Sequence, residues 1–118
     1  MSIRPLRAED LPAADRAYRA AFAAQFGITP AEFRPGTEVL GLRWRGQPHC
    51  CFAAEQGGAV VGSVLGLDWG SAWVLGPLSL APAAQGTGLA RALVRAFLEA
   101  AGARFVGLWT FPASLRHL

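Results

Sequence analysis

The sequence predicts an α+β domain in which a mostly antiparallel sheet is flanked by helices and ends in a β-α-β crossover. Three observations lead there. Apolar residues recur at helical spacing in two separate stretches, around residues 11–26 and 88–101. Between them lie apolar runs punctuated by glycine turns, and one more strand pattern follows the second stretch. The runs are almost wholly apolar, as strands are when helices cover both faces of a sheet.

Ser2 to Leu6 reads as a short strand. Asp10 is then placed as the N-cap of a helix, with Pro12 in its first turn and Gly27 as its stop. Leu11, Ala14, Tyr18, Phe22 and Phe26 form its apolar stripe. Thr29, Pro30 and Glu32 have capping-box spacing and begin a second helical stretch, which Pro35-Gly36 interrupts before Thr37 to Trp44. Cys50 to Glu55 and Ala59 to Leu67 read as a hairpin about Gly57-Gly58. The Asp68-Trp69-Gly70-Ser71 turn leads to a strand from Ala72 to Leu80. A helix from about Gly88 to Ala101 carries Leu89, Leu93, Ala96, Phe97 and Ala100 on one stripe and is closed by Gly102. Phe105 to Thr110 is the last strand, so the order is β-α-α-β-β-β-α-β.

The 118 residues fit a single domain, and a chain of this size buries about two-thirds of its surface on folding. With 53% hydrophobic and 16% charged residues, disorder is excluded and little polar material is left to cover the surface. The net charge of +3 comes from 11 scattered arginines with no lysine, which does not make a stripe for duplex nucleic acid. Cys50 and Cys51 are neighbours and cannot form a disulfide framework, which points to a reducing, cytoplasmic setting. Met1 to Leu11 lacks the apolar segment of a signal peptide. Trp69 to Ala90 is uncharged, but Gly70, Gly76, Pro77, Pro82, Gly86 and Gly88 interrupt it too often for a membrane span.

The chemistry is concentrated in Leu78 to Arg91, an apolar strand, Pro82, and then Gln85-Gly86-Thr87-Gly88-Leu89-Ala90 opening a helix. The first amides of a helix have no intrahelical acceptor and sit at the positive end of its dipole, so they hold a phosphate by backbone alone. Gly86 and Gly88 carry no side chain to keep it away, and the amides from Gln85 to Ala90 would form a concave nest. The plainer reading is a tight turn with close packing. A Walker motif is excluded because the chain has no lysine. The dinucleotide fingerprint fails because Arg91 stands where a third glycine or alanine is required, and no acidic residue follows about 20 positions on.

Gln85, Gly88 and Ala90 make the segment resemble motif A of the GNAT superfamily of N-acetyltransferases, and Leu78-Ser79-Leu80-Ala81-Pro82 is similar to the strand and turn before it. The resemblance spans nearly the whole chain. It begins at Ile3-Arg4-Pro5-Leu6 with Glu9-Asp10-Leu11, and Trp69-Gly70-Ser71, Gly76-Pro77-Leu78 and Thr110-Phe111-Pro112-Ala113-Ser114 look like one bacterial branch. It implies an acyl-CoA N-acyltransferase fold, acetyl-CoA as cosubstrate, no metal, and transfer to a primary amine of a small molecule or peptide by direct attack. It also implies that Leu78 and Leu80 pair with the pantetheine amides, that the Leu80 amide is the oxyanion donor, and that the pyrophosphate sits on Gln85, Gly86, Thr87, Gly88, Leu89 and Ala90. Arg91 reaches a CoA phosphate in this reading, or else belongs with Arg95 and Glu99 to a solvated face.

Ser114 stands at the family's Asn-like position and is counted with the cofactor contacts. The family's acidic tyrosine, seven residues further, would fall about three residues past Leu118, and the last helix and two strands are expected to be missing. Tyr18 is expected to pack in the first helix, and Glu55 and Asp68 to be surface or turn carboxylates rather than bases. Cys50 and Cys51 are read as core residues, and His49 with them cannot face one metal ion, because adjacent strand residues alternate sides. Arg43, Trp44 and Arg45 fall in the region that lines the acceptor site in the superfamily. The rival expectation is a non-catalytic acyl-CoA-binding module whose sheet is completed by a partner chain, or a homodimer through the exposed fifth strand.

Overall fold

The computed structural model describes residues 2–108. Its strands are β1 (Ser2–Pro5), β2 (Phe52–Gln56), β3 (Ala59–Asp68), β4 (Ala72–Leu80) and β5 (Phe105–Leu108), and its helices α1 (Leu11–Phe26), α2 (Val39–Gly46) and α3 (Leu89–Ala101). One sheet runs in the order β1-β2-β3-β4-β5. Neighbours are antiparallel except β4 and β5, which are parallel and joined through α3. The expected α+β class and the closing β-α-β unit are therefore present. Trp109, Thr110 and Ser114 lie outside the described residues.

Two cores lie on opposite faces of the sheet. On one, α3 lays Leu89, Leu93, Phe97 and Ala101 over Ala54, Val64, Trp73, Leu75 and Leu80. On the other, α1 and α2 bury Ala14, Tyr18, Ala23 and Leu40 with Leu6, Ala53 and Leu65. Ala53 and Ala54, and Val64 and Leu65, are thus divided between faces by the two-residue strand period. This explains why β2 and β3 show no polar alternation. The α3 stripe differs by one position from expectation, since Ala101 is buried and Ala100 exposed. The helix ends at Gly102, whose positive φ of 64° favours glycine.

Several boundaries move for local reasons. Asp10 does not cap α1, because the chain is already turning through a 3₁₀ segment at Ala8–Asp10 and Asp10 itself is helical in φ and ψ. Its carboxylate instead accepts from the Arg7 amide at 2.8 Å and from both Nη atoms of Arg4, at 2.6 and 2.9 Å. The Thr29–Glu32 capping box is present but encloses a single 3₁₀ turn, and α2 begins later than expected, at Val39. Arg19 explains how this connection holds together: its guanidinium bonds Asp15 and the carbonyls of Phe33, Arg34 and Thr37. Pro48–Cys50 is another 3₁₀ turn, so β2 starts at Phe52 rather than Cys50.

The Arg4–Asp10 pair ties β1 to the start of α1, with Asp10 only 6% exposed. The hydrogen bond from Arg4 holds the Asp10 carboxyl below its ordinary value, against the opposing effect of burial, with the Arg7 amide adding to Arg4. A carboxylate with a lowered folded-state pKa contributes stability that is present above about pH 4 and is lost as pH falls through the lowered value. Arg4→Ala is expected to cost about 2–4 kcal/mol in urea unfolding, since it strands a buried carboxylate. Asp10→Asn should flatten the loss of stability in acid titration, and an unchanged acid limb would refute the assignment.

Candidate functional site

The site is built on the outer half of β4. Val64 faces Leu78 and Gly66 faces Leu75, so Gly76 and Pro77 together stand opposite the single residue Leu65. This is a bulge, and a proline is tolerated in it because no ladder amide is required there. The extra residue shifts the strand's phase. Trp73 and Leu75 point towards α3 before the bulge, and Leu78 and Leu80 do so after it.

The bulge also decides where the backbone groups point. The Ala81 amide donates to the Val61 carbonyl at 2.8 Å. In an antiparallel ladder this alternation directs the amides of Ser79 and Ala81 towards β3, and those of Leu78 and Leu80 away from it. Among the described residues β5 runs beside Ala72–Leu75 only. The amides of Leu78 and Leu80 therefore face an edge along which no described strand continues.

Gly62 lets β3 and β4 approach closely at this point. A Cβ there would lie 2.5 Å from the Ser79 carbonyl oxygen and 2.4 Å from the Leu80 side chain. In the sequence Gly62 falls simply within a strand, and a glycine inside an apolar strand is itself a signal of close backbone approach.

Beyond Leu80 the chain makes a 3₁₀ turn at Pro82–Ala84 and enters α3 through Gly86 and Gly88, both left-handed at φ 80° and 87°. Gln85 belongs to the frame of this loop. Its amide donates to the Pro82 carbonyl at 3.3 Å and its side-chain Nε2 to the Leu80 carbonyl at 3.2 Å. Thr87 Oγ1 donates to the Ala84 carbonyl at 2.5 Å. The amides of Gly86, Thr87, Gly88, Leu89, Ala90 and Arg91 have no acceptor among the described residues, and the first helical bond runs from Ala92 to Gly88. A concave set of open donors thus begins at Gly86 and lies at the positive end of the α3 dipole. Arg91, Arg95 and Glu99 are exposed on the outer face of α3 and form no described ion pair with one another.

The other singled-out residues have structural partners. Cys50 packs under α3 and Cys51 on the α1–α2 side, both buried and free. Burial pushes the Cys50 thiol up to about 11 and raises Cys51 as well, so neither is a ready nucleophile. Tyr18 is packed edge-on against Phe22 and Phe33, and burial raises its phenol. Glu55 lies on β2, 3.5 Å from Arg4. His49 Nε2 meets Asp68 Oδ2 at 2.8 Å, and Asp68 Oδ1 accepts from the Gly70 amide at 2.7 Å. The His49 bond and then the Gly70 amide hold the Asp68 carboxyl low, so it serves the β3–β4 turn.

The arginines and tryptophan of α2 take different directions. Trp44 Nε1 donates to the Leu6 carbonyl at 2.7 Å and locks α2 to the end of β1, and Arg45 reaches Glu38 at 3.3 Å. Arg43 turns towards β4, donating from Nη2 to the carbonyl of Gly76, at the bulge, at 2.6 Å. Beside the lower half of β4, an apolar depression of about 360 Å³ is lined by Trp69, Ala72, Val74, Phe105 and Leu108, among others.

Comparison with known proteins agrees with this architecture. The model of the Acetyltransferase (GNAT) family matches residues 11–116. An uncharacterized N-acetyltransferase of Methanocaldococcus jannaschii is 32% identical over 96 residues, covering 80% of this chain and 55% of the relative. The chain therefore spans about half the length of that relative. Among solved structures, the ribosomal-protein-S18-alanine N-acetyltransferase of Escherichia coli superposes with a TM-score of 0.78 at 20% identity, over 98% of this chain and 70% of its own. A GNAT family acetyltransferase of Brucella melitensis, solved in complex with acetyl-CoA, gives 0.69 at 26% identity, over 98% and 80%.

The close approach at Gly62 can be tested directly. Gly62→Ala is expected to push the Ser79–Leu80 backbone outward and to lower unfolding stability by about 1–3 kcal/mol, the usual cost of overpacking. Chemical denaturation measures it, and a stability equal to that of the parent would show that β3 and β4 are not in this contact.

Proposed function

The chain belongs to the acetyltransferase (GNAT) family, and on that premise we propose that it binds acetyl-CoA along the open side of β4 and transfers the acetyl group to a primary amine. The observation that carries the reading is the continuity of open donors. The amides of Leu78 and Leu80 face away from β3, and the unaccepted amides of Gly86–Arg91 begin a few residues later, with Gln85 bonding the loop to Leu80. An extended arm with amide groups fits beside the strand, and a pyrophosphate fits the cradle. Neither needs a charged side chain, and Arg91, exposed on the first turn of α3, would add a charged contact to a phosphate.

The cosubstrate supplies the acyl thioester. The chain's own groups orient it, and the outward amides of β4, Leu80 foremost, donate to the carbonyl oxygen as negative charge develops there. A preformed backbone donor costs no reorganisation during the reaction. The attacking amine is free base, and the departing thiol is acidic enough to leave as a thiolate. Glu55, Asp68 and Tyr18 are engaged elsewhere, so the base and acid are assigned to none of them. Binding without turnover is the rival reading, and release of free CoA thiol in the presence of an amine panel separates the two.

Calorimetric titration with acetyl-CoA, with ADP as the phosphate-only control, is expected to show binding about ten-fold or more tighter for acetyl-CoA, because the arm adds contacts along β4. Gly88→Glu should weaken acetyl-CoA binding by at least about ten-fold, since it sets negative charge on the cradle. Gly88→Ala is the control for backbone strain, because its Cβ meets nothing within 4 Å while its φ of 87° disfavours any side chain. If the glutamate variant binds within about two-fold of the alanine variant, the cradle does not hold the pyrophosphate.

A further inference from the structure

Among the described residues, Arg43 has no acidic partner. The chain's eight carboxylate side chains all fall among the described residues. Arg4, Arg7, Arg19 and Arg45 each pair with one or more of them, and Asp68 pairs with His49. Glu32 is bonded by Thr29, and Glu99 is exposed on the outer face of α3. None forms an ion pair with Arg43. The side chain is nonetheless half-buried, with its Nε fully enclosed and without a partner. Its one described bond runs from Nη2 to the Gly76 carbonyl, while Nη1 has no bond to a described residue and is not among the enclosed unpartnered atoms. A partly desolvated guanidinium is stable when an anion completes its donor set, and its planar fork suits a carboxylate.

The position matters as much as the missing partner. Gly76 belongs to the bulge, two residues before Leu78 on the strand that carries the outward amides. The cation reaches it from α2, on the face of the sheet opposite α3. A group bound there approaches the same stretch of β4 from the side that the cradle on α3 does not occupy. We propose that Arg43 selects the acceptor, which is an amine bearing a carboxylate, and binds that carboxylate through the unenclosed Nη1 end of its guanidinium while the amine faces the thioester. This inference rests on the acetyl-transfer reading and deepens it.

Acetylation by the full chain should be measured with α-alanine, β-alanine and 4-aminobutyrate, each against its own primary amide, with rates compared per free-base amine. Acetyl-CoA binding is measured in parallel. At least one acid is expected to exceed its amide in kcat/KM by about ten-fold or more. Arg43→Gln, which keeps a donor for Gly76 but removes the charge, should abolish that preference, and Arg43→Lys should retain part of it. Thermal melting of each variant checks that it is folded, and the acid–amide comparison in the parent needs no variant. Equal rates for every acid and amide pair overturn the inference. So does a preference that survives Arg43→Gln, or a variant that loses both classes equally, which would make Arg43 only a brace for the bulge. A chain that binds acetyl-CoA but acetylates no amine overturns both this inference and the transfer step. A chain that binds no acetyl-CoA removes the underlying reading itself.

Discussion

The hydrogen bond from the Ala81 amide to the Val61 carbonyl sets the phase of β4, and the site depends on that phase. It turns Ser79 and Ala81 towards β3 and leaves the amides of Leu78 and Leu80 pointing the other way. Buried backbone donors require acceptors, and an outward row of them beside an edge along which no described strand continues is suited to an extended ligand with its own amides. The bulge at Gly76–Pro77 makes this compatible with the core, since it keeps Leu78 and Leu80 under α3 after the ladder has advanced by one. A slip of one residue would otherwise exchange the two faces.

Small residues allow the same strand to be crowded from three directions. Gly62 brings β3 against Leu80, and Gly66 leaves room for the Phe97 ring, which a Cβ would meet at 2.3 Å. Phe97 in turn lies edge-on to Trp73, with ring centroids 5.4 Å apart. The helix that carries the cradle is therefore positioned by packing at its far end as well as by the loop that begins it. Its first turn is held by internal bonds of Gln85 and Thr87, which spend side-chain donors on shape and leave the backbone amides open.

Electrostatic groups are divided between frame and site. Arg4, Asp10 and Arg19 each bond several partners, Arg4 linking β1 to Glu55 on β2 and Arg19 linking α1 to the segment before α2. His49 and Asp68 close the β3–β4 turn at the end of the sheet opposite the cradle. Arg16, Arg34, Arg91, Arg95 and Arg104 also form no described ion pair but are exposed, whereas Arg43 is half-buried at the bulge with an enclosed Nε.

The α+β class, the order of elements and the strand–loop–helix segment were legible in the sequence because each depends on local periodicity and on glycine or proline at turns. Gly27 and Gly102 stopped helices where expected, and the spacing of Gln85, Gly88 and Ala90 pointed to the family that the comparisons show. The role of Asp10, the bulge, the close approach at Gly62 and the turn of Arg43 towards β4 were not legible. Trp73, Leu75, Leu78 and Leu80 are all apolar, so their pattern carries no mark of the phase change between them. Asp10 has the residue type and spacing of a cap, and only the fold brings Arg4 to it from β1. Local chemistry determines which elements form, whereas the partners of a strand edge or a charged side chain come from distant parts of the chain and exist only once those parts have packed together.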